Sequence, residues 1–291
     1  MNKLPVGETT RFAYGFTFGH LGTIIGLIWL PMVGIAILQF LPYGMGDAYL
    51  TADQNPNALG AAALRGIAFW LASVLLYACV NVAVIRQALG MRTGPAVVHF
   101  TLGRAELRMW GASLLFVAVL FVLMLGVVLA MFAAGLAGSA AGNRAVAGAL
   151  VGIVLLAGLC ILLLAIVRLG FLLVPITVAE GKISFERGWL LTGGNFWRIV
   201  TVLFLVTLPT FVVLFAASFA LMGRELSALA MVARHLTPEA FMERYRMIVS
   251  GHAATLIGIN LILAPFTLGL TLGASAAGYK ALRTEPPPAS P

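Results

Sequence analysis

Six long apolar blocks run through this chain and constrain its fold more than any other feature. They lie at about His20 to Leu41, Ala62 to Ala88, Met109 to Ala134, Ala145 to Pro175, Ile199 to Met222 and His252 to Leu282. An α-helix rises about 1.5 Å per residue, so about 20 residues cross a hydrocarbon core about 30 Å thick. In lipid every backbone N–H and C=O must be satisfied within protein, which leaves only helices and closed barrels. Barrel strands are about 10 residues long and alternate polar with apolar. These blocks do not alternate, so the expected class is an all-α integral membrane protein with six transmembrane helices. The composition agrees: 61% hydrophobic and 10% charged, against about 25% charged in soluble domains.

The net charge is +8. Nucleic acid is not the expected partner, because the basic residues lie scattered at block ends and not on one soluble face. Cys79 and Cys160 each sit inside a block and read as small buried apolar residues, with no spacing for a metal site or a disulfide framework. Mixed residues precede the first block, which is too long for a signal-peptide core, so it reads as an uncleaved first span.

Amphipathic stretches precede alternate blocks. Residues 1–19 mix Lys3, Glu8 and Arg11 with Phe12, Tyr14, Phe16 and Phe18, as an interfacial helix does. Residues 90–108 form a second such stretch and 180–198 a third, with Ser184 as an expected N-cap. Trp110, Trp189 and Trp197 read as interface anchors. Residues 42–60 form a loop. Arg65 and Arg86 lie a membrane thickness apart on one helix and can snorkel to opposite headgroup layers. GLAGSAAGNR, ending at Arg144, reads as a turn. The fourth span looks long, and its end is expected to project into water or tilt. An insert at 223–251 is expected to hold two short amphipathic helices on the membrane surface, the second capped by Thr237-Pro238-Glu239. The tail, 284–291, reads as disordered.

A short phrase recurs three times: Phe16-Thr17-Phe18-Gly19-His20, Phe100-Thr101-Leu102-Gly103-Arg104 and Leu191-Thr192-Gly193-Gly194-Asn195. Each copy joins an amphipathic stretch to a span. Basic residues close the units at Arg86, Arg168 and Lys280. The expected layout is a single transmembrane domain over 1–283. It comprises three parallel repeats of interfacial helix plus helical hairpin, at about 8–90, 91–178 and 179–283, arranged as a three-fold pseudo-symmetric bundle. Orientation follows from charge. Lys3, Arg11, Arg86, Arg92, Arg104, Arg108, Arg168, Lys182, Arg187, Arg198, Lys280 and Arg283 fall on one side. Arg65, Arg144, Arg224, Arg234, Arg244 and Arg246 fall on the other. The positive-inside rule puts the richer side, with both termini, in the cytoplasm.

The stretch FERGWLLTGGNFWRIVTVLFLV, residues 185–206, resembles the repeat of a broad bacterial membrane family, most sharply over 184–205. That family includes the membrane domain attached to some glycerophosphoryl diester phosphodiesterases. The resemblance implies a bundle in the bacterial cytoplasmic (inner) membrane and a link to lipid. It does not imply phosphodiesterase activity, which belongs to a separate soluble domain, and no catalytic residue carries over.

Chemistry is sparse. His20, His99, His235 and His252 all lie near block ends and read as interfacial. No paired-carboxylate, H-E-x-x-H or G-x-S-x-G pattern occurs. No Asp or Glu is expected inside a span, where a cation-coupled transporter usually needs one. Asn81, Gln87 and Asn260 read as helix-to-helix hydrogen-bonding residues. Gly22/Gly26, Gly148/Gly152 and Gly269/Gly273 read as small-residue packing pairs. Pro31, Pro209 and Pro265 interrupt spans, and kinks there could open a central cavity. No catalytic, cofactor-binding or metal-ligating residue is expected, and no cofactor. The first expectation is a non-enzymatic membrane protein that contacts membrane lipids or a membrane-protein partner. The alternative is a transporter or channel for a neutral or lipid-like solute. An integral membrane enzyme is the least supported.

Overall fold

The structure, a computed structural model, describes residues 2–44, 56–92, 100–140 and 142–283. Regular structure there is helical throughout. The elements are α1 (Val6–Gly19), α2 (Leu21–Gly44), α3 (Pro56–Leu89), α4 (Arg104–Ala140) and α5 (Arg144–Ala165). A π-helical turn (Ile166–Gly170) leads to α6 (Leu173–Ala179), α7 (Phe185–Leu191) and α8 (Phe196–Val232). A 3-10 turn (Ala233–His235), α9 (Pro238–Gly251) and α10 (Ala253–Arg283) complete the chain. Most of the loop expected at 42–60, the middle of the second interfacial stretch with His99, and the tail at 284–291 lie outside the described residues.

Six helices are long and apolar enough to cross a membrane. Their surfaces agree with that solvent. The most apolar window of α4 has a mean hydropathy of 3.1 and no buried residue. Phe121 and Phe132 on α4 are 65% and 67% exposed, and Ile153 and Leu156 on α5 are each 65% exposed. Apolar surface of this extent has no place in water. The chain is a multi-pass membrane protein.

Packing centres on α10, which touches α1, α2, α3, α6, α8 and α9. Gly269 and Gly273 permit this. A Cβ on Gly269 would lie 2.8 Å from Thr17, and one on Gly273 would lie 3.0 Å from Phe16. So α1 lies directly on α10, burying Ala13, Phe16 and Thr17 and leaving Phe18 outward. Gly22 and the Gly148/Gly152 pair do not act in this way. A Cβ on Gly22, Gly148 or Gly152 would meet nothing within 4 Å. The hairpins also pack unequally. The first and third meet along α10, whereas α5 packs mainly against α4.

Caps explain several boundaries. Ser184 accepts the Arg187 N–H at 3.2 Å, as expected. Thr237 likewise accepts the Ala240 N–H at 3.3 Å. Asn143 accepts the N–H groups of Ala145 and Val146 and starts α5.

Three local expectations are corrected. The GLAGSAAGNR stretch is not a long turn: α4 stays helical to Ala140, and Gly138 packs against Ala147 across the hairpin. The first expected surface helix of the insert is the end of α8, which runs unbroken for 37 residues, about 55 Å and well beyond the hydrocarbon core. Only α9 is separate. The fourth span does not project at its end. It passes through the π turn, breaks at Leu172, and continues as α6 within the bundle, with Leu173, Ile176 and Val178 buried.

Proline drives that break, and two hydroxyls repair its effect. Pro175 has no N–H, so the carbonyl four residues earlier, on Phe171, loses its helical donor. The Ser275 hydroxyl of α10 donates to it. Pro209 likewise leaves the Leu205 carbonyl unserved. The Tyr14 hydroxyl of α1 donates to that oxygen at 2.9 Å.

Candidate functional site

Four helices enclose a cleft within the apolar zone. Met32 of α2, Tyr77 of α3, Thr207, Thr210, Phe211 and Leu214 of α8, and Asn260, Leu263, Ala264, Thr267 and Leu268 of α10 line a cavity of about 330 Å³. A second cavity of about 190 Å³ shares Met32, Tyr77 and Asn260 and adds Ile35, Ala36, Gln39, Ile257 and Leu261. The shared residues make these one cleft with two lobes. Phe211 is 64% exposed and Asn260 is also exposed, so the cleft opens on the outer surface of the bundle.

Three of the four walls are shaped by proline-bearing helices. Pro31 precedes Met32 on α2, Pro209 lies between Thr207 and Thr210, and Pro265 lies between Ala264 and Thr267. Pro209 and Pro265 belong to the two spans of the last hairpin. The hydroxyls of Thr207, Thr210 and Thr267 donate back to their own helices, to Leu203, Thr207 and Leu263 carbonyls at 2.7, 2.9 and 3.2 Å. This satisfies the donors and turns hydroxyl lone pairs toward the cleft. Asn260 does not bond across helices as expected; its Nδ2 donates to the Leu256 carbonyl at 2.9 Å, and its oxygen has no donor among the described residues. Tyr77 and Gln39 both line the smaller lobe. Pro265 withdraws the N–H that would serve the Leu261 carbonyl. No described side chain does for Leu261 what Tyr14 does for Leu205.

The lining residues carry no formal charge. The cleft therefore offers apolar walls, a phenol and several acceptors, which suits an uncharged guest with hydrogen-bond donors.

A second polar zone lies at the end of the bundle that carries Asn2 and Arg283, the first and last described residues. Glu106 is its most buried acid, 3% exposed. It stands three residues after the N-cap Gly103 and accepts that residue's N–H at 3.0 Å, half of a capping box. It also accepts from Thr101 at 3.2 Å and pairs with Arg86 at 3.4 Å. Glu106 lies in the first turn of α4, ahead of the apolar block at about Met109 to Ala134. Gly103-x-x-Glu106 was the available signal, weakened by glycine in place of the usual Ser or Thr. Arg168 donates to the Trp189 carbonyl at 2.7 Å and stacks 3.7 Å from the Trp189 ring centroid. Its Nε reaches Thr192 at 3.5 Å. Asn195 accepts the Leu4 N–H at 2.8 Å and donates to the Asn2 carbonyl at 3.0 Å, tying the chain start to α8. Lys280 lies 5.4 Å from the Phe12 ring centroid.

The histidines do not converge. His20 stays beside the Phe16 carbonyl, and His252 meets Glu225 at 3.4 Å at the opposite end of the bundle. His99 and the side chain of His235 lie outside the description. Cys79 is buried on α3 and Cys160 exposed on α5, which corrects the expectation that both are buried. Trp110 donates its indole N–H to the Leu71 carbonyl of α3 at 3.2 Å. Among the described residues no group of three or more His, Cys, Asp or Glu side chains is placed to hold a metal ion.

No family model, curated protein or solved structure matches the chain.

Proposed function

We propose that this chain is a non-enzymatic, multi-pass protein of the cytoplasmic membrane that binds an uncharged, lipid-like amphiphile in the cleft between α2, α3, α8 and α10. The observation that carries the reading is the make-up of that cleft. Apolar residues surround one phenol, two amides (Asn260 and Gln39), three threonines and a carbonyl without its usual helical donor, and the mouth faces the bundle exterior. A guest arriving from the bilayer buries its chains against Phe211, Leu214 and Leu268. It offers hydroxyl or amide donors to Asn260 and to the Leu261 carbonyl. In hydrocarbon a donor without an acceptor is costly, so this pairing selects polar headgroups that carry donors.

The likeness of residues 184–205 to a bacterial membrane family supports the link to lipid and the inner-membrane location. The charge asymmetry supports cytoplasmic termini. We further infer three parallel repeats. In support, Arg86 reaches the second phrase through Glu106, Arg168 reaches the third at Thr192, and Lys280 reaches α1, the helix that carries the first.

Photo-crosslinking tests the binding reading. A benzophenone amino acid at Phe211 should capture one lipid species far above its bulk abundance, and the same probe at Phe121 on α4 should capture bulk lipid. Equal capture at both sites would overturn the reading.

Transport of the same guest is the second reading. It is favoured by Pro209 and Pro265, which lie on facing walls of the cleft where helix bending would change its width. Movement of a fluorescent neutral lipid between leaflets of reconstituted vesicles separates carriage from binding.

A further inference from the structure

The bundle carries a second cavity whose chemistry differs from that of the cleft. It lies where α3, α6 and α10 end, has a volume of about 470 Å³, and is lined by Leu89, Met91, Ala179, Tyr279, Lys280 and Arg283. We propose that this notch binds the phosphate group of an anionic amphiphile.

The first argument is unspent charge. The basic side chains that close the earlier hairpins are consumed by the protein. Arg86 pairs with buried Glu106, and Arg168 is held by Trp189 and Thr192. Lys280 lies 5.4 Å from the Phe12 ring centroid but keeps donor capacity to spare. It donates to the Ala88 carbonyl at 3.1 Å, and an ammonium has three donors. Arg283 lies 5.6 Å from the Tyr279 ring centroid. Neither cation has a carboxylate partner among the described residues. The nearby acid, Glu180, is already matched. It accepts from the Tyr279 hydroxyl at 3.1 Å and stands 3.5 Å from Arg187 and 3.8 Å from Lys182.

The second argument is shape. Lys280 and Arg283 stand three residues apart on α10, so they share a helix face and converge on one guest. The Tyr279 ring, Leu89 and half-exposed Met91 provide an apolar wall beside them. Two cations next to an apolar wall fit a phosphate joined to a hydrocarbon-bearing backbone. The notch also lies at the end of a spanning helix, at the level where lipid phosphates sit.

Titration of the full-length protein in non-ionic detergent tests the site. The probes are dihexanoyl phosphatidate below its micelle concentration, dihexanoyl phosphatidylcholine as a zwitterionic reference, and inorganic phosphate. The expected result is one phosphatidate per chain, preferred over phosphatidylcholine. In K280Q/R283Q the affinity should fall at least about tenfold, the equivalent of one lost charge-assisted hydrogen bond. K280R should retain binding, and R224Q/R244Q, at the opposite end of the spans, should leave it unchanged. Inorganic phosphate that competes at similar strength identifies a free phosphate ligand; phosphate that does not compete identifies a lipid headgroup. The single variant R283Q, altered at an exposed position, stands in if the double variant does not fold. Absence of phosphatidate and phosphate binding would overturn the proposal. So would a folded K280Q/R283Q that binds as the wild type does.

Discussion

The hydroxyl of Tyr14 donates to the carbonyl of Leu205 at 2.9 Å, on the oxygen that Pro209 deprives of its helical partner. The short helix α1, near the start of the chain, thereby repairs a break in a span nearly two hundred residues later. Tyr14→Phe should lower stability by about 1 kcal/mol, the net value of one such bond. In a Pro209→Ala background the helix supplies its own N–H, and the same change should cost little. Thermal unfolding of the four proteins in detergent gives the coupling. An equal cost in both backgrounds would show that Tyr14 acts by packing alone.

Ser275 and Phe171 form the second such repair, and this one is buried. Ser275→Ala should cost about 1–3 kcal/mol, because it strands a buried carbonyl. Pro175→Ala should rescue part of it. Denaturant unfolding of the single and double variants measures both effects.

Glycine substitutions separate packed from lipid-facing helix surfaces. Gly269→Ala would bring a Cβ to 2.8 Å from Thr17 and should destabilise by about 1–3 kcal/mol. Gly148→Ala has open space around it and should be neutral within about 0.5 kcal/mol. Melting temperatures of the two variants decide this. Equal losses would remove α1 from the place on α10 described above.

Glu106→Gln tests the buried capping acid. The amide keeps the volume but loses the charge that faces Arg86, whose side chain is 36% exposed. Solvent screening reduces the pair's worth, so a loss of about 1–3 kcal/mol is expected. The Glu106→Gln and Arg86→Gln losses should be strongly non-additive in a double-mutant cycle. Additive losses would show that Arg86 contributes nothing through Glu106.

The apolar blocks were legible because span length is set by bilayer thickness and nothing else produces six of them. Ser184 and Thr237 were legible because capping is local chemistry. What failed depends on the partner helix. Leu226, Leu229 and Val232 keep helical spacing whether they start a new helix or end an old one, so the continuity of α8 was invisible. Pro175 was read as the end of a span, yet the fold beyond it depends on Ser275, a hundred residues away in sequence. Glu106 looked interfacial because its burial is created by Arg86 and Thr101 from outside its own helix. The cleft was least legible. Pro31, Pro209 and Pro265 suggested a cavity, but Tyr77, Asn260 and the threonines meet only after four helices pack.

Mass spectrometry of the protein extracted in native membrane patches tests the binding cleft most directly, comparing the wild type with Y77F/N260L. The wild type should carry an uncharged, donor-bearing lipid at near one copy per chain, far above its bulk share. The double variant should lose that species while keeping its annular lipid and its fold. The same bulk lipid in the same proportions on both proteins would contradict a binding cleft between α2, α3, α8 and α10.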